Sequence, residues 1–212
     1  MGSIIATTTA GETVRAYLPK PLPPEPALDL ARLLTPLERA NRALGRLDGI
    51  ASILPSTDLF VYMYVRKEAI LSSQIEGTQS SLSDLLLLEN KESPFVPTDD
   101  VQEVSRYVSA MSHGLRRLSE DFPLSLRLLR EVHAELMQSA RGGDKQPGQF
   151  RRSQNWIGGT RPGNAAFVPP PPDRLAECLS DLEKFLHDRD TYPVLVRAAL
   201  AHVRGDRRHG RA

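Results

Sequence analysis

Prolines cut this chain into pieces of helical length, and that punctuation constrains the fold more than any other feature. Seventeen prolines are spread over 212 residues. Proline has no amide hydrogen and a fixed φ, so helices begin near it or stop before it. Between the prolines, apolar residues recur at three- and four-residue steps, the period of a helix with one buried face. Residues 27–52 carry Leu30, Leu33, Leu34, Leu37, Ala40, Ala43 and Leu44 on such a stripe. Pro36 lies inside it and predicts a kink or a break. Pro55-Ser56-Thr57 stops that segment and supplies a cap for a helix over 58–76, in which Leu59 and Met63, then Leu71 and Ile75, sit four apart. Ser81-Leu82-Ser83-Asp84 resembles a capping box for a short helix through Leu88, ended by Pro94 and Pro97. Thr98 is placed to cap a helix over 99–119, and Ser125 another to about 140.

Gly142, Gly143, Pro147 and Gly148 mark a loop. Pro169 to Pro172 form a connector into a helix over 173–188. Pro193 suits the first turn of a last helix carrying Leu195, Val196, Ala199, Leu200 and Val203. One strand signal stands out: residues 154–168 combine glycines with alternating character and predict a short β-hairpin. No strands alternate with the helices, which excludes a doubly wound α/β fold. The expected class is all-α, with a small β-hairpin. Residues 1–25 read as an extended arm, because Pro19, Pro21, Pro23, Pro24 and the following Pro26 favour polyproline II. Such an arm lies across a domain surface or serves as an SH3-type ligand.

Composition removes several function classes. The net charge is +1, so no whole-chain field points to nucleic acid or membrane. The lone Cys178 excludes an intramolecular disulfide and a cysteine zinc site, and suits a reducing cytoplasm. Beside Leu175, Leu179 and Leu182 it reads as a small core residue. The N-terminus has no basic-then-apolar secretory pattern. Ala6 stands where myristoylation wants Ser or Thr. The Leu85–Leu88 run is far too short to span a bilayer. His113 and His133 fall on helices, the latter as a hydrogen-bonded core histidine. No His or carboxylate spacing resembles a closed metal site.

Ser72-Ser73-Gln74-Ile75-Glu76-Gly77 carries the sharpest functional signal. Ser72 and Glu76 are four apart and share a face near a helix end. Gly77 supplies a left-handed terminator. A carboxylate there opposes the negative end of the macrodipole, which suggests that Glu76 has another partner. From spacing alone, an exposed glutamate beside a helix stop fits better. The residues also match Ser/Thr-x-x-x-Glu-Gly, the inhibitory motif of Fic proteins, which transfer AMP from ATP onto protein hydroxyls. The flanks, Tyr64 to Leu71 and Thr78 to Leu82, resemble that family. So does Asn155-Trp156-Ile157-Gly158-Gly159-Thr160-Arg161-Pro162-Gly163-Asn164. The resemblance spans roughly residues 20–203.

That resemblance implies an incomplete helical Fic fold: an arm over 1–25, an N-terminal region with the inhibitory helix over 26–115, and a partial Fic domain with its flap over 116–203. A basic, non-family tail over 204–212 would follow. It implies that Glu76 pairs with an arginine that would otherwise hold the ATP γ-phosphate, with Ser72 fixing the helix. Asn155, Trp156, Ile157, Gly158, Gly159, Thr160, Arg161, Pro162 and Gly163 would form the flap that docks the target by β-augmentation. Trp156 and Ile157 would pack the root of that hairpin. ATP, Mg²⁺ and a hydroxyl-bearing protein are the family's reactants and cofactor. The expected compartment is the cytoplasm, and the expected partners are a further copy or an intact Fic protein.

The family's His-Pro-Phe-x-x-Gly-Asn-Gly-Arg-x-Gly-Arg motif supplies the general base and the phosphate-binding turn. It should follow the helix over 195–203, but Arg204-Gly205-Asp206-Arg207-Arg208-His209-Gly210-Arg211-Ala212 stands there and reads like an out-of-frame continuation. His209 lacks the Pro-Phe and the glycine turn. The expectation is therefore a chain with no catalytic residues and no productive ATP or Mg²⁺ binding, inactive by itself. The alternatives are a non-enzymatic regulator presenting its inhibitory helix in trans to an intact Fic protein, or a non-functional remnant with the 195–203 apolar face uncovered.

Overall fold

The computed structural model describes residues 2–75, 77, 79–90, 99–138 and 146–205. The order is β1 (Gly2–Thr9), β2 (Glu12–Pro19), a 3-10 turn (Leu30–Leu33), α1 (Leu34–Ala51), α2 (Thr57–Ile75), α3 (Leu82–Glu89), α4 (Asp99–Ser119), α5 (Leu126–Leu136), a second 3-10 turn (Pro162–Asn164), α6 (Pro172–His187) and α7 (Val194–Gly205). The class is all-α with one small antiparallel sheet, as the periodicity requires. Among the described residues no helix is long and apolar enough to cross a membrane.

The chain divides into two compact units. The first comprises Met1–Leu37, Leu124–Leu126 and Phe150–Ala212. Its sheet corrects the reading of residues 1–25 as an extended arm. β1 and β2 pair from Gly2↔Pro19 to Thr9↔Glu12. Ala10 and Gly11 turn the chain with φ of +52° and +80°, the left-handed geometry of a two-residue hairpin. The prolines govern only the stretch after β2. Val14 and Ala16 point from β2 onto Val168, with Ile5 and Ala165 packed beside them. A separate cluster holds Phe185, Tyr192 and Val196, with Leu22, Leu28, Leu33 and Leu200 against it. The Leu28 amide donates to the Tyr192 hydroxyl at 3.0 Å.

α7 continues through Gly205, beyond the point where the basic tail was expected to begin. Its Arg204 is 7% exposed and donates to the carbonyls of Lys20 (2.7 Å) and Cys178 (2.8 Å). Cys178 itself is half-buried, and burial raises its thiol pKa. Val196 packs inward, while Val194 and Val203 stay exposed, so the last helix is only partly covered. Asp188 closes the turn before it by accepting from the amides of Asp190 (3.0 Å) and Thr191 (3.1 Å) and from the Thr191 hydroxyl.

The second unit comprises Glu38–Pro123 and Arg127–Gln149. Its core joins Val65, Ala69 and Ile70 of α2 to Leu85 of α3 and to Val104 and Val108 of α4. Ser56 caps α2 through a 3.1 Å bond from the Leu59 amide. Ser81 and Asp84 form the expected capping box. The break near Pro36 falls before it: the 3-10 turn ends at Leu33, and Pro36 occupies the first turn of α1, where no amide donor is needed. None of the α1 side chains is fully buried. Thr98, Pro94, Pro97, Gly142 and Gly143 lie outside the described residues.

Glu131 of α5 accepts from Arg117 of α4 and from Arg127, both at 3.1 Å, with His113 3.5 Å away. His133 is hydrogen-bonded as expected, its Nδ1 accepting from the Gly148 amide at 2.9 Å. It is exposed rather than part of the core, because it caps a surface turn.

Candidate functional site

Two segments carry the site residues expected from sequence, one in each unit. The first is the end of α2. Val65, Ala69 and Ile70 bury one face of this helix. Arg66 locks it further. Its side chain is 10% exposed, and its guanidinium donates to both carboxylate oxygens of Glu89 (3.0 and 2.8 Å) and lies 3.2 Å over the Tyr62 ring. A two-pronged arginine–carboxylate contact fixes direction as well as distance, so α2 and α3 are held in one register.

Ser72 sits on the last turns, and its hydroxyl donates to Glu68 Oε1 at 3.0 Å. The Gly77 amide closes the terminus on the Gln74 carbonyl at 3.1 Å, with Gly77 at φ +97°. The left-handed terminator is thus in place, and the backbone is what demands glycine, since no atom of the described residues beyond its chain neighbours lies within 4 Å of where a Cβ would stand. Beyond it, Gln74 Nε2 donates to the Ser80 carbonyl (3.2 Å) and the Gln79 amide donates to Asp100 (2.9 Å). Glu76 lies outside the described residues, between Ile75, which is 82% exposed, and the exposed Gly77.

The second segment is 155–168. It is not the regular hairpin expected. A single bridge, Ile157↔Phe167, closes its base, with the Ile157 amide 2.8 Å from the Phe167 carbonyl. The tip turns through Pro162–Asn164 as a 3-10 helix. Proline and three glycines within 158–163 interrupt the ladder, so side-chain and strand contacts take its place. Asn164 Oδ1 accepts from the amides of Thr160 and Arg161, both at 3.0 Å. Gly158 and Gly159 are both left-handed, at φ +68° and +74°, and among the described residues nothing accepts from their amides.

Trp156 and Ile157 do not pack the root as expected. Both are exposed, because Ile157 holds the loop through its backbone while Val168 and Ala165 fill the space under β2. Asn155 is also exposed, and Pro162 is buried. The structure therefore brings Asn155 to Gly163 together as one loop and keeps Ser72 and Gly77 together as one helix end.

The model of the Fic/DOC family N-terminal region matches residues 34–116, and the Fic/DOC family model matches residues 123–209. The chain belongs to the Fic/DOC family. Within this Fic chain the first match spans α1 to α4, including the Ser72–Gly77 segment, and the second spans α5 to α7 with the 155–168 loop. Its end at residue 209 takes in part of the basic segment that begins at Arg204. His209 and the rest of 206–212 lie outside the described residues. Sequence reasoning missed Glu12 and Arg204 in this Fic chain. The signal for Glu12 was present: Ala10-Gly11 lies between two β-branched runs, the pattern of a tight hairpin.

Among the described residues no group of three or more His, Cys, Asp and Glu side chains is placed to hold a metal ion.

Proposed function

We propose that this chain carries the regulatory and target-facing elements of a Fic-type, ATP-dependent protein adenylyltransferase. The observation that carries this reading is the position of the Ser72–Gly77 motif at the terminus of a buried-face helix, with Gly77 left-handed. A carboxylate at position 76 would oppose the macrodipole of the preceding helix, which favours a partner arginine. An arginine paired there in two-pronged fashion is removed from the ATP γ-phosphate. Ser72, tied to the preceding turn through Glu68, would steady that terminus.

The 155–163 loop would receive an extended target segment through backbone pairing and aim one hydroxyl of it at the nucleotide. The Gly158 and Gly159 amides, which have no acceptor among the described residues, support this. ATP would be the co-substrate that supplies AMP. The 212-residue polypeptide contains no His-Pro-Phe motif. Purified polypeptide incubated with labelled ATP and a cytoplasmic lysate is therefore expected to label no protein. Labelling that disappears when residues 204–212 are removed would sink this reading.

The exposed end of α2 favours a second reading, in which Glu76 acts in trans on a Fic protein that carries the full catalytic motif. Capture of such a protein on immobilised chain should be lost with Glu76→Ala. Capture unchanged by that substitution argues against the trans role.

A further inference from the structure

The N-terminal hairpin holds the 155–168 loop at two points. At the base, the Tyr17 amide donates to the Val168 carbonyl at 2.8 Å, and the Tyr17 and Phe167 rings lie 5.9 Å apart. At the tip, Glu12, the first residue of β2, uses both carboxylate oxygens: Oε1 accepts from the Arg161 guanidinium and Oε2 from the Gly163 amide at 3.0 Å. The approach is close enough that a Cβ at Gly163 would lie 2.5 Å from Glu12 Oε2. A carboxylate engaging a guanidinium and a backbone amide together makes charge-assisted bonds with a defined direction.

We propose that Glu12 is a positioning residue for target docking. This rests on the reading of residues 155–163 as the target-facing flap. By taking up the Gly163 amide and the Arg161 side chain, Glu12 fixes the far limb of the loop. It leaves the Gly158 and Gly159 amides, which have no acceptor among the described residues, as the donors offered to a target segment. The Thr160 and Arg161 amides are held by Asn164 and not by Glu12, so the two supports are separable.

Residue-resolved amide exchange on the full chain, without target or nucleotide, tests the contact. In Glu12→Ala the Gly163 amide should exchange about tenfold faster. Glu12→Gln, which keeps an oxygen acceptor without the charge, should fall between. The Thr160 and Arg161 amides and the β1–β2 amides should stay within about twofold of the parent chain. An unchanged Gly163 rate in Glu12→Ala overturns the proposal. So does an equal rise across Thr160, Arg161 and the hairpin, which would mark general opening. The flap reading is tested separately, with extended peptides bearing Ser, Thr or Tyr. Shifts of the Gly158 and Gly159 amide resonances that weaken in Glu12→Ala support the positioning role. Resonances unmoved in the parent chain would sink the flap reading and leave Glu12 holding a structural loop only.

Discussion

The end of α2 and the loop at 155–168 are both short, exposed and rich in glycine, but they are held in different ways. The α2 terminus inherits its position from a core: Ala69 and Ile70 are buried about two turns before Gly77, and Arg66 is locked to Glu89. The loop has little apolar anchorage beyond Val168 and Ala165, and its tip is set by polar bonds to Asn164 and Glu12. Burial is non-directional and strong, whereas polar surface contacts are directional and individually weak. On the proposed reading, a helix end that presents one residue at a constant height suits the first. On the same reading, a loop that receives a partner's backbone suits the second, because its bonds can be exchanged at small cost.

The largest test removes the core under α2. Leu85 is fully buried, and Leu85→Ala should cost about 2–5 kcal/mol in a denaturant melt. If the 155–168 amides lose as much protection as those of Val65 to Ile70, the contrast between the two regions fails. Next, Glu89→Ala strands a mostly buried guanidinium. It should cost about 2–3 kcal/mol, discounted from the fully buried case because Glu89 is itself partly exposed. Replacing both Arg66 and Glu89 with apolar residues should recover part of that loss.

Asn164→Ala withdraws the acceptor from two loop amides and should loosen 158–164 by about 1 kcal/mol, read as faster exchange there with the melt nearly unmoved. Gly77→Ala should also cost about 1 kcal/mol despite the empty space around it, since only the left-handed backbone opposes a side chain. A stabilising result would mean that the terminus is not fixed as described.

The smallest effect comes from acid. The Thr191 hydroxyl, then the Thr191 and Asp190 amides, hold the Asp188 carboxyl below the usual aspartate range. A depressed carboxylate pKa contributes stability that is complete above the ordinary value and is lost as pH falls through the lowered one. The Thr191 amide should therefore stay protected at about pH 5 and lose protection only below the normal aspartate titration. Loss at or above that titration would contradict the assignment.

The helices were legible because period and punctuation agree. Ser56, Ser81 and Asp84 cap where their positions predict, and Gly77 turns left-handed after a helix, as glycine there should. The loop region was read less well. Glycines and alternating residues at 154–168 suggest a ladder, but tertiary support from β2 and Asn164 substitutes for one, and an acceptor 151 residues away in sequence leaves no local trace. The hairpin over 2–19 was overshadowed by the prolines after it, although its own β-branched runs and Ala10-Gly11 turn are ordinary strand signals. Arg204 was grouped with the basic tail on composition. Composition cannot tell a solvated arginine from one whose fork closes on two carbonyls.

That last contact bears on the order in which the molecule can be made. The first unit is assembled from three stretches, and the Lys20 carbonyl meets Arg204 across a separation of 184 residues. A chain emerging from the ribosome completes Glu38–Pro123 long before α7 exists. The second unit can begin to condense early on short-range contacts, and the β1–β2 pairing is itself local, while the Lys20–Arg204 contact must wait for the final helix. Closure over so long a span is entropically slow. The segments that wait would be the ones most exposed to chaperones and proteases during synthesis.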